Sequence, residues 1–115
     1  MANVRSALRA ALMAMAEEDL CAPEQGCFLV NAATEPSADP PTVDRVGGTL
    51  RLVESAITGA LERTQTRGEL STDKDPARLA RFLTAFIQGR HVMGKAHVGR
   101  AFMESAVSNA LTALD

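Results

Sequence analysis

The chain has 115 residues, 46% of them apolar and only 3% aromatic, and a formal net charge of −2 at pH 7; that suits one domain over 1–115 with a real core and gives no basis for a nucleic-acid surface on this chain. The longest apolar runs fall short of a membrane span, and acidic Glu17, Glu18 and Asp19 stand where a signal-peptide cleavage region would lie. Two cysteines, Cys21 and Cys27, make no disulfide framework, which points to a reducing cytoplasm.

Val4, Leu8, Ala11, Leu12 and Met15 recur at helical spacing and predict a first amphipathic helix ending near Asp19–Pro23. Pro23–Gly26 is a connector. Cys27–Ala33 is apolar nearly all round, which periodicity alone assigns to neither strand nor helix. Nothing else in the chain offers a strand partner, so the expectation is a short buried helix. Its polar Asn31 either bonds a nearby backbone group or faces a cavity, the first being the commoner fate of a buried amide.

Glu35–Pro41 reads as loop. Asp39 or Thr42 then caps a helix running to about Arg67. Val43, Val46, Leu50, Val53, Ile57 and Ala60 form a near-heptad seam too short for a coiled coil, so a bundle helix is expected. Gly47-Gly48 marks a bend or a close contact, and Gly68 is a natural stop.

Asp75–Ala96 predicts one long helix, with Asp75 as N-cap and Pro76 in the first turn. At about 100° per residue it carries two apolar stripes. Leu79, Phe82, Leu83, Phe86 and Met93 share one face; Ala85, Gly89, Val92 and Ala96 form an adjoining row of mostly small residues. One stripe can seal the core while the other admits a second helix. The last helix, Arg100–Leu114, has a broad stripe of Met103, Ala106, Val107, Ala110, Leu111 and Leu114, widened by Phe102 and Ala113. That breadth suits a four-helix bundle formed with a second copy across a two-fold axis. The expected fold is all-α, an antiparallel bundle of about five helices.

Four segments, GCFLVNAATE, TRGEL, DPARLARFLTAFIQGRHVMGKA and RAFMESAVSNAL, in that order and spacing, resemble the C-terminal region of TetR-type transcriptional regulators over almost the whole chain. The resemblance implies an effector-binding and dimerisation domain whose last two helices pair with their copies. In such regulators an N-terminal helix-turn-helix binds the operator, and a small effector releases it. No such head precedes Met1, so this chain is expected to bind no operator DNA by itself. It reads as a fragment, a truncated reading frame or a natural headless homologue. Arg90 departs from the pattern, which usually has an apolar residue after Gln-Gly, and Gly99 stands where an acidic N-cap often precedes the last helix.

The implied pocket lies between the first three helices and the inner face of the long one. Expected lining residues are Leu12, Met15, Phe28, Leu50, Val53, Phe86 and Met93, although such stripes are more often plain core. Arg90 falls on the main apolar face, where an unpaired guanidinium is costly. It can snorkel to the surface, pair with a carboxylate such as Glu54, or bind an anionic ligand group in a cavity. The expected dimer interface comprises Ala85, Gly89, Val92, Ala96, Phe102, Met103, Ala106 and Ala110. Catalysis finds little support. His91 and His97 are six apart and diverge around a helix, the cysteines lack metal-site spacing, and Glu17-Glu18 and Asp73/Asp75 suit helix ends. No phosphate loop is present. The reading is therefore no enzyme, no cofactor, no metal and no membrane. It expects a homodimer controlled as a repressor by a small, mostly apolar effector, with a stand-alone module that pairs with full-length regulators as the alternative.

Overall fold

A computed structural model describes residues 4–21 and 39–115. The expected helix over Cys27–Ala33, with Phe28 and Asn31, lies outside the described residues. Within them are four α-helices and a closing 3₁₀ turn, and no strand, so the fold is all-α. Helix α1 spans Val4–Cys21, its described end coming two residues before Pro23.

Helix α2 spans Pro40–Thr66. Asp39 caps it, its carboxylate accepting from Thr42 N at 2.9 Å, and Pro40 and Pro41 fill first-turn positions whose N–H groups would have no helical partner. Gly68, at φ 78°, ends it as expected. Gly68 N–H donates to Gln65 O at 3.0 Å and Glu69 N–H to Thr64 O at 3.1 Å, the paired bonds of a Schellman stop. The Gly47-Gly48 pair marks no close contact. A Cβ at Gly48 would meet nothing within 4 Å, and α2 runs through unbroken.

Helix α3 spans Pro76–Lys95. Asp75 caps it by accepting from Ala77 N at 3.0 Å and Arg78 N at 3.4 Å. In the connection before it, the Gln65 amide donates to Ser71 O and Lys74 O, each at 2.9 Å. These bonds hold the turn that lets α2 fold back along α3. Helix α3 stops in the same way as α2, with His97 in the glycine position at φ 57°. His97 N–H donates to Gly94 O at 3.1 Å and Val98 N–H to Met93 O at 3.4 Å.

Helix α4 spans Arg100–Leu111. The α-helix expected through Leu114 tightens over Thr112–Leu114 into a 3₁₀ turn, a usual way for a last turn to satisfy its carbonyls. Gly99 offers no side-chain cap, matching the missing acidic residue noted above. The first residue of α4 is instead tied to α1, Arg100 Nη1 and Nη2 donating to Glu17 Oε2 and Oε1 at 2.5 and 2.9 Å.

The core forms where α1 crosses α3 and α4. Leu12, Leu61, Leu70, Ala80, Leu83, Val107, Leu111 and Leu114 make one buried cluster, with Met13, Met15, Ile57, Leu79 and Phe86 packed against it. The molecule measures 46 × 34 × 19 Å. A thickness of 19 Å across the Cα atoms is about two helix diameters, so the described helices stand in two layers.

Candidate functional site

One face of α3 and α4 remains uncovered. Phe82, Val92 and Phe102 are 43%, 42% and 48% exposed, although large apolar side chains normally sink into a core. Phe82 and Phe86 lie along this side of α3 with ring centroids 6.1 Å apart. Ala85 and Ala96 are exposed and Gly89 is half-buried. A Cβ at Gly89 would meet nothing within 4 Å. Of the expected interface set, Met103 and Ala110 are already buried inside the chain at 2% and 4% exposure.

Between α3 and α4 lies a cavity of about 170 Å³, lined by Phe86, Gly89, Arg90, Met93, Phe102, Met103, Ala106 and Val107. Its exposed wall is carbon and sulfur throughout, so Arg90 contributes its aliphatic stem and not its charge. The cavity unites three of the expected ligand residues, Phe86, Arg90 and Met93, with four of the expected interface residues, Gly89, Phe102, Met103 and Ala106. The other described ligand positions stand elsewhere. Leu12 is 1% exposed at the centre of the core, Met15 packs against that core, and Leu50 and Val53 are half-buried on α2. Phe28 lies outside the described residues. The contribution of α4 to a cavity on α3 is what the sequence did not reveal. Stripe spacing shows which face of a helix is apolar but not which neighbour it meets.

Arg90 is 4% exposed, so it does not snorkel. Nor does it pair with Glu54, whose Oε1 accepts from Arg81 Nε at 3.0 Å. Arg81 stands on the solvent side of α3 opposite Glu54 and reaches it first. Arg90 Nη2 meets His91 Nε2 at 3.0 Å; a guanidinium only donates, so Nε2 is the acceptor in this contact.

Several charged groups tie the scaffold together. The Arg100 hydrogen bond holds the Glu17 carboxyl below the usual carboxylate range, and Glu17 in turn pushes Arg100 further up. The Thr42 side-chain and backbone hydrogen bonds likewise lower Asp39. Arg5 bonds Asp115 and donates to Leu111 O at 3.3 Å, joining the start of α1 to the chain end. Among the described residues no group of three or more His, Cys, Asp or Glu could hold a metal ion, and no helix is long and apolar enough to cross a membrane.

This arrangement is a helical domain with an apolar cavity beside an apolar outer face. The model of the tetracyclin repressor-like C-terminal domain matches residues 2–110, and the chain belongs to that family. Domains of this family regulate transcription and are not enzymes. Neither a curated protein nor a solved structure matches the chain.

Proposed function

We propose that this chain is the effector-binding and dimerisation domain of a TetR-like repressor, that two copies pair through α3 and α4, and that a small, mostly apolar molecule controls it. The observation that carries the reading is the uncovered face of the last two helices, where Phe82, Val92 and Phe102 are each more than two-fifths exposed. At about 25 cal/mol per Å² of apolar area removed from water, covering such a face is a substantial driving force for association. The small residues Ala85, Gly89 and Ala96 let a facing helix approach closely. A two-fold arrangement puts the same patch on both copies and closes the assembly at two. Effector control fits a chain whose cavity is walled by residues of both helices.

Spin labels test the pairing face directly. With Cys21→Ser and Cys27→Ser as background, a nitroxide at Val92→Cys is expected to show strong dipolar coupling between copies. The same label at Leu52→Cys, on the 71%-exposed position of α2, is expected to show weaker coupling at longer distance. Equal coupling at both sites, or none at Val92, would overturn the face assignment.

A further inference from the structure

We propose that the α3–α4 cavity binds an uncharged apolar molecule about the size of one aromatic ring, and that occupancy opposes pairing of the chain. The proposal deepens the reading above and rests on its dimer. The first support is size and chemistry together. The cavity holds about 170 Å³ and shows no polar atom on its wall. The cavity is open on its outer side, and its volume is about what a benzene-sized guest needs in an apolar site. A charged or strongly polar ligand would give up its water and find no hydrogen-bond partner on that wall. The thioethers of Met93 and Met103 line it, and such flexible side chains adjust to a guest.

The second support is Gly89. It stands inside α3, where glycine costs about 0.5–1 kcal/mol relative to alanine, yet a Cβ there would meet nothing within 4 Å. The chain's own packing does not require the glycine. It keeps open the cavity wall that faces outward. The third support is shared residues. Gly89, Phe102 and Ala106 border the cavity and belong to the face proposed for pairing. Association at native packing density leaves few voids larger than a water molecule, so partner side chains would fill this one. A guest in the cavity therefore competes with them. By linkage, it weakens the dimer by the same factor by which the dimer weakens its binding.

Benzene is the probe, with the chain labelled at its ¹³C-methionine methyl groups. Saturable shifts are expected at Met93 and Met103, with Met13 and Met15 unmoved because they pack against the core around α1. In parallel sedimentation runs, saturating benzene should raise the dimer dissociation constant by about fivefold or more. Gly89→Leu, which fills the cavity from α3, should abolish the shifts, and Ala85→Leu on the same face outside it should keep them. Absent shifts at a dilution where the parent is monomeric would overturn the cavity site alone. Saturable shifts with an unchanged dimer constant would overturn the coupling. A parent that is monomeric throughout would remove the dimer reading and the coupling together, with the methyl shifts still deciding the site.

Discussion

His97 holds a backbone conformation, φ 57°, that costs an L-residue about 1–2 kcal/mol. Glycine would relieve that cost and give back about 0.5–1 kcal/mol in unfolded-chain freedom, so His97→Gly should stabilise the chain by about 0.5 kcal/mol or more in urea unfolding. No change, or a loss, would mean that the ring earns its position through contacts. The histidine stop was hidden in the sequence because the local bonds to Gly94 and Met93 fix it, whereas Asp39, Asp75 and Gly68 were legible because their side chains, or lack of one, suit the cap directly. Arg90 was half legible. Its place on the apolar face was read from the spacing, which left snorkelling, pairing and a cavity all open; Glu54 is taken by Arg81, a choice made by which helix edges adjoin. Glu17 supplies a pH signature. Its folded-state pKa is depressed, so its contribution is present above the unfolded carboxylate pKa and is lost as pH falls through the folded one. Thermal midpoints should therefore drop more between pH 7 and pH 3 in the parent than in Glu17→Gln. An equal drop would show that the Arg100 pair adds nothing.

At the scale of elements, α4 is the shortest of the described α-helices and has no side-chain cap, and its stability comes from burial. Leu111 is 1% exposed within the core cluster, so Leu111→Ala should cost about 2–5 kcal/mol in chemical denaturation. A cost below about 1 kcal/mol would mean that α4 is not seated on α1 as described. The starts of α2 and α3 were legible because each carries Asp-Pro, and the stop of α2 because Gly68 follows it, whereas α4 begins after Gly99 with no side-chain cap. The pairing of elements was less accessible. The seam Val46–Leu50–Val53–Ile57 marks an apolar stripe of α2, but only the length of the 67–75 connection and the bonds of Gln65 turn that stripe onto α3. The second stripe of α3 was legible as a surface for something. That α4 shares a cavity with it was not, since two separate stripes carry no record of the space left between them.

The described helices stand two layers thick, and Phe82, Val92 and Phe102 are each more than two-fifths exposed, which is the physical ground for expecting a second copy there. The measurement that tests this most directly is the mass in solution by light scattering at tens of micromolar, where a standard-sized interface of roughly 800 Å² per partner should hold. The account predicts twice the 12.2 kDa chain mass for the parent. It predicts the single-chain mass for Gly89→Arg, which places a charge where nothing in the chain itself obstructs it. A parent at 12.2 kDa, or a Gly89→Arg variant that stays dimeric, would contradict the pairing of the chain through its last two helices.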